Sequence, residues 1–118
     1  MNSFFISADM AHSVHPNYAE KHKESHKIKL NEGIGLKINH NQRYTTDSIS
    51  ASLIKTIAQK SSVPIQEFVV KNDSPCGSTI GPIVSPKTGI KACDIGAPQW
   101  GMHSIRETCG VLDAYYYV

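Results

Sequence analysis

Three segments carry the residue types that hydrolytic or ligand-binding chemistry requires. The first is Asp9-Met10-Ala11-His12-Ser13-Val14-His15-Pro16, in which two imidazoles closely follow a carboxylate. Aspartate and histidine are standard ligands for Zn²⁺, and a catalytic zinc keeps one position open beside them. The spacing is not one of the strong metal patterns, so the same residues also suit a His-rich polar loop. The second segment is Gln99-Trp100-Gly101-Met102-His103-Ser104-Ile105-Arg106-Glu107. His103 precedes a predicted helix, where an imidazole serves either a metal or a cap. Arg106 and Glu107 fall in the first turn of that helix, where a glutamate complements the helix dipole without any catalytic role.

The third segment is Asn72-Asp73-Ser74-Pro75-Cys76-Gly77-Ser78-Thr79-Ile80-Gly81. Glycines and small hydroxyls around a helix start can present backbone N–H groups to an anion. The Gly-Lys-Ser/Thr of a phosphate-binding loop is missing. Cys76 needs a lowered pKa to act as a nucleophile, and the sequence shows no partner for it. Lys37 alternates to the face opposite Ile34, Leu36 and Ile38, the place of a solvated lysine. Tyr44, taken alone, reads as a packing residue.

These residues need elements to hold them. Residues 3–8 form a short apolar run ending at Asp9, which predicts a buried strand. Residues 12–29 are rich in histidine and lysine, carry the Pro16-Asn17 turn signal, and read as a loop with a partial helix. Residues 33–39 alternate as a half-buried strand. Thr46 or Asp47 caps a helix over 48–60, with Ile49, Leu53 and Ile57 on one stripe and Ile54 and Ala58 widening it. Val63-Pro64 ends that helix, and residues 65–70 are the next strand. Ser78-Thr79 caps a short helix with Pro82 in its tolerated first turn; Pro86 and Gly89 end it. Residues 90–95 are a strand closed by Gly96-Ala97-Pro98. A final helix starts at Ser104, with Ile105, Cys109, Leu112 and Tyr116 on its stripe and Gly110 inside it. Strands alternating with helices predict an α/β sheet with helices on its faces. Sites in such folds lie at the carboxyl ends of strands, which is where Asp9 and the Gln99–His103 loop fall.

Composition narrows the classes. The chain has 118 residues, enough for one domain. It is 40% hydrophobic and 19% charged, which argues against a wholly disordered chain. A formal charge of +2 gives no case for a nucleic-acid binder. No apolar run approaches the roughly 20 residues of a membrane helix. Phe4-Phe5-Ile6 is too short for a secretory signal. Cys76, Cys93 and Cys109 do not make a disulfide framework, so a reducing compartment is expected. Both ends run directly into apolar patterns, which predicts a piece of a larger fold.

Ser7-Ala8-Asp9-Met10-Ala11-His12 and His15-Pro16-Asn17-Tyr18 resemble the aspartyl aminopeptidase family of dizinc exopeptidases (peptidase family M18). The resemblance continues through Asn41-Gln42-Arg43-Tyr44, the segment Asn72 to Pro82, and Met102-His103-Ser104-Ile105-Arg106-Glu107. It covers essentially the whole chain in order; Pro86 departs from it, in a short helix. The resemblance implies a partial zinc-exopeptidase (aminopeptidase/phosphorylase-like) α/β domain, a mixed sheet with helices on its faces. It implies a cytosolic metalloaminopeptidase that releases N-terminal Asp or Glu from peptides with two Zn²⁺ ions, in a family of homo-oligomers. Asp9 and His103 match its metal ligands. Asp9, His12, Lys37 and Tyr44 match substrate-binding positions, and a lysine facing an acidic side chain is the pairing a desolvated carboxylate needs.

The family's early histidine ligand, its bridging aspartate and its glutamate pair match nothing here, and Glu20, Glu24 and Glu32 fit no site motif. Residues 1–118 are therefore expected to be the C-terminal portion of the catalytic domain. The general base is expected upstream, the dimerisation domain is without counterpart, and the chain alone is expected to be inactive. Two other readings stay open: a His-rich metal-binding or scaffold module using His15, His22 and His26, and an inactive truncated fragment.

Overall fold

The computed structural model describes residues 3–21, 26–70 and 76–118. Its main sheet has four strands: β1 (Phe4–Ala8), β3 (Ile34–Ile38), β4 (Ile65–Val69) and β5 (Lys91–Gly96), in the order β1-β5-β3-β4. β1 runs parallel to β5, and β4 parallel to β3. β3 and β5 are antiparallel, with Leu36 opposite Ile95 and Gly35 opposite Gly96. A smaller sheet orders β2 (Ala11–His12), β6 (Pro98–Trp100) and β7 (Thr108–Cys109). The mixed α/β architecture agrees with the sequence.

Side-chain alternation splits the core into two layers. Leu36 and Cys93 pack with Ile54 of the helix α1 (Ser48–Ser61) on one face. Phe68 packs with Ala11, Ile28 and Tyr44 on the other. Gly96 joins the two sheets: a Cβ there would strike the carbonyl of Asp9. Only glycine lets the exit of β1 cross so close to β5. That crossing fixes where Asp9 stands.

Asp47 is the α1 cap, and it forms a capping box: its side chain accepts from Ser50 N at 2.6 Å, while Ser50 Oγ accepts from Asp47 N at 2.9 Å. The stripe turns out differently from its spacing. Ile54 and Ala58 are buried, whereas Ile49, Leu53 and Ile57 stay 60%, 43% and 51% exposed. The sheet reaches only one edge of a wide apolar face.

The helix α2 (Gly81–Thr88) is capped by Ile80 without a side-chain bond, not by Ser78 or Thr79. Pro86 lies inside it and does not stop it, because proline's φ is already helical and only one N–H is lost. Gly89, left-handed at φ 70°, ends it.

The last helix, α3 (Val111–Tyr117), begins later than expected from Ser104. Thr108 and Cys109 are taken by β7, which pairs antiparallel with Trp100 and Gln99. Ile105 is fully exposed. Gly110 is therefore a helix start and not a helix interior. A Cβ at Gly110 would collide with Asp113 and Asn31. The buried Asp113 carboxylate there accepts the backbone N–H groups of Asn31 at 2.5 Å and Gly33 at 2.9 Å. It thus ties α3 to the turn that feeds β3. Asp113→Ala strands both donors and is expected to lower stability by about 3 kcal/mol, given 1.5–3 for each bond to a charged group; urea denaturation of the two chains measures it.

Candidate active site

β1 ends at Ala8, so Asp9 leaves the sheet at a carboxyl end. β2 follows at once, held parallel to β6 with His12 opposite Gln99. β3 brings Lys37 up beside Asp9. Its ammonium donates to Met10 O at 2.8 Å and to Asp9 Oδ2 at 3.3 Å, and lies 5.4 Å from the centre of the Tyr44 ring. Lys37 is only 2% exposed, which corrects its reading as a solvated lysine. Ile34, Gly35, Leu36 and Lys37 are all buried, so both faces of β3 are covered.

Asp9, His12, Lys37, Tyr44 and His103 all line one open cavity of about 1150 Å³. The five residues singled out by sequence, scattered over most of the chain, thus converge. His103 stands in the β6–β7 loop, not before a helix, and takes the left-handed conformation at φ 67°. Holding a non-glycine residue there costs about 1 kcal/mol or more. The loop is braced by Glu107, which accepts from His103 N at 2.5 Å, and by Ser104 N donating to Gly101 O at 2.7 Å. Glu107 therefore shapes a loop and does not open a helix.

The third segment contributes partly. Residues 71–75 lie outside the described residues, so most of its turn cluster does too. Cys76 lines the cavity and its thiol donates to Tyr44 Oη at 3.2 Å. The start of α2 presents no open anion cradle: a Cβ on Gly81 would sit 2.8 Å from the carboxylate of buried Asp94. Asp94 is the residue that sequence reasoning missed. Its Oδ2 accepts from Thr45 N at 2.6 Å and Thr45 Oγ1 at 2.7 Å, which anchors the segment carrying Tyr44. A charged residue inside the strand run Lys91-Ala92-Cys93-Asp94-Ile95 was the available signal.

Electrostatics follow from burial. Desolvation lowers the Lys37 pKa, against the pull of Asp9 and Asp94. Desolvation also lowers that of His12, and the nearby Lys37 and His103 add to it while Asp9 opposes. Burial raises the Tyr44 phenol far above its usual range, with the Cys76 hydrogen bond contributing. The site thus favours a neutral imidazole at position 12 and a protonated phenol.

Asp9 and His103 are donors of the types zinc accepts, an oxygen and an imidazole nitrogen. Among the described residues no three His, Cys, Asp or Glu side chains group to hold a metal. Donor chemistry fits zinc; donor number supplies only part of a centre. Among the described residues the His-rich alternative gathers no cluster either. His15 packs between Tyr18 and Trp100, His26 pairs with Glu67 at 3.3 Å, and His22 lies outside the described residues.

The fold and site define a mixed α/β protein with a cleft at its strand ends, and similarity to known proteins narrows it. The family model described as "Aminopeptidase I zinc metalloprotease (M18)" matches residues 1–118, and the chain belongs to that family. The aspartyl aminopeptidase of Dictyostelium discoideum is 58% identical over 112 residues, 95% of this chain and 23% of that relative. A cryo-EM structure of an Ape4 and Nbr1 complex superposes with TM-score 0.94 at 53% identity, over 97% of this chain and 22% of that one. A Saccharomyces mApe1 dodecamer superposes with TM-score 0.87 at 32% identity, over 99% of this chain and 25% of that one. The chain spans about a quarter of the length of the curated relatives it matches.

Two outcomes follow from the desolvation of His12 and Lys37. His12 binds a proton less tightly folded than unfolded, so stability falls as pH drops below the ordinary imidazole value of 6.5. Urea midpoints across that range are expected to flatten in His12→Gln, and NMR titration of His12 to give a midpoint below 6.5. Lys37→Met removes a desolvated ammonium whose partner Asp9 is 60% exposed and needs it little. It is expected to leave stability unchanged or raise it by about 1 kcal/mol; a clear loss in thermal denaturation would mark Lys37 as a structural ion-pair member instead.

Proposed function

We propose that this chain supplies part of the active site of a zinc aminopeptidase that releases N-terminal Asp or Glu from peptides. The observation that carries the reading is the convergence of Asp9, His12, Lys37, Tyr44 and His103 on one cavity. Asp9 and His103 are its metal ligands, and the remaining ligands and the general base come from outside residues 1–118. Bound zinc in such a site polarises a scissile carbonyl and lowers the pKa of its water. The chain's own residues bind and orient. The Lys37 ammonium, buried in the cavity wall, recognises the substrate carboxylate. Tyr44 Oη stays protonated and donates beside it. Neutral His12 contacts the substrate near the scissile bond.

Specificity for acidic residues rests on Lys37 being the buried cation of the cavity wall, since a desolvated carboxylate demands a partner charge. The acidic preference in the relatives' names supports it. Three free cysteines fit a cytosolic enzyme, and no helix among the described residues is long and apolar enough to cross a membrane. The dodecamer among the related structures supports a homo-oligomer for the whole protein.

With two donors in hand, the 118-residue chain is expected to bind Zn²⁺ weakly and not to hydrolyse an Asp-terminated chromogenic peptide. Robust turnover with added zinc would overturn the division of the site. Grafting the chain in place of the matching quarter of the Dictyostelium relative tests its half. Activity on Asp-peptides is expected to persist. Lys37→Met in the graft is expected to cut kcat/KM on acidic substrates about 100-fold, the scale of one unpaired buried charge. An equal loss on neutral and acidic peptides would sink the assignment of Lys37.

A further inference from the structure

The cavity has a second end that the acidic-residue reading does not use. Its volume of about 1150 Å³ exceeds the usual range for a whole drug-sized ligand, so it has room for more than one residue. Contacts order its wall. Tyr44 and Lys37 stand at one end, Lys37 touches Asp9, and Asp9 leads through β2 to His12. His12 is in register with Gln99, and Gln99 precedes Trp100. At that far end the cavity is lined by His15, Tyr18 and Trp100.

These three rings form a shelf. His15 lies 5.4 Å from Tyr18 and 5.6 Å, edge-on, from Trp100. Each part is held by the backbone. Trp100 Nε1 donates to Val14 O at 2.8 Å, His15 Nδ1 accepts from Asn17 N at 3.2 Å, and Tyr18 N donates to His15 O at 2.9 Å. The polar atoms of the indole and of one imidazole edge are thereby satisfied. Tyr18 nevertheless remains 52% exposed at the cavity rim. Pre-held aromatic faces beside open space favour an apolar or aromatic side chain, at about 0.5–1.5 kcal/mol per ring pair beyond the area buried.

We propose that the His15–Tyr18–Trp100 shelf is the subsite for the second residue of the peptide and selects large apolar or aromatic side chains there. The inference rests on the acidic-peptide reading, because that reading puts the first residue at Lys37 and the scissile bond between the two ends. Trp100 is the single tryptophan of the chain, so its emission reports this end alone.

The test titrates the 118-residue chain with Asp-Phe-amide, Asp-Ala-amide and Ala-Phe-amide, by calorimetry and by Trp100 emission. Asp-Phe-amide is expected to bind about fivefold tighter than Asp-Ala-amide, the size of one good ring pair, and it alone of the two Asp peptides is expected to shift the emission. Tyr18→Ala is expected to bring that ratio close to one, and Tyr18→Phe to keep it. Equal affinity of Asp-Phe-amide and Ala-Phe-amide, with the emission shift retained, counts against the acidic reading and leaves the shelf standing. Equal affinity of the two Asp peptides, a ratio unmoved by Tyr18→Ala, or no binding of any dipeptide overturns the proposal.

Discussion

The ammonium of Lys37 governs the layout of the cavity. A lone charge taken out of water costs several kcal/mol unless protein groups replace its hydration. Here the replacements come from separate segments: the Met10 carbonyl and Asp9 carboxylate from beyond β1, and the ring face of Tyr44 from the segment before α1. Each must arrive at its place for the ammonium to be tolerated. Gly96 lets the β1 exit pass close enough, and Asp94 fastens Thr45, the neighbour of Tyr44.

The ion pair is lopsided, and the lopsidedness carries information. Lys37 is almost wholly buried while Asp9 is largely exposed. An enclosed ion pair adds little stability, because desolvation of the charges offsets their attraction. An enclosed cation beside an open carboxylate is instead a cation with unspent capacity. That fits a wall which takes up a second, incoming anion. It also leaves the Asp9 carboxylate accessible to something beyond its lysine, as a metal ligand requires.

Local signals were legible where they were self-contained. The α1 capping box reads directly from Asp47 and Ser50, and β1, β3, β4 and β5 read from short apolar runs. Lys37 was misjudged because alternation assumes one wet face, and that assumption fails for a strand covered on both faces. The last helix was misplaced because Ile105, Cys109, Leu112 and Tyr116 do fall at helical spacing. Nothing local reveals that Thr108 and Cys109 are claimed by a ladder to Gln99 and Trp100. Asp9, His12 and His103 were found by residue type and resemblance. Their shared cavity depends on strand order, which no window of sequence contains.

Locally unfavourable features cluster at the same place. His103 holds a left-handed backbone, and Lys37 and His12 are bases whose charged forms desolvation disfavours. Away from the cavity the chain follows the rules of its elements: a boxed cap on α1, a left-handed glycine after α2, a carboxylate collecting backbone donors at α3. Left-handed non-glycine backbone is not unique to the cleft, since Asn31, Gln42 and Ser62 adopt it outside the cavity lining; what sets the cleft apart is that such backbone at His103 meets a desolvated ammonium at Lys37 on one cavity wall. The pattern picks out His12, Lys37 and His103 of the five cavity residues and agrees with the family membership.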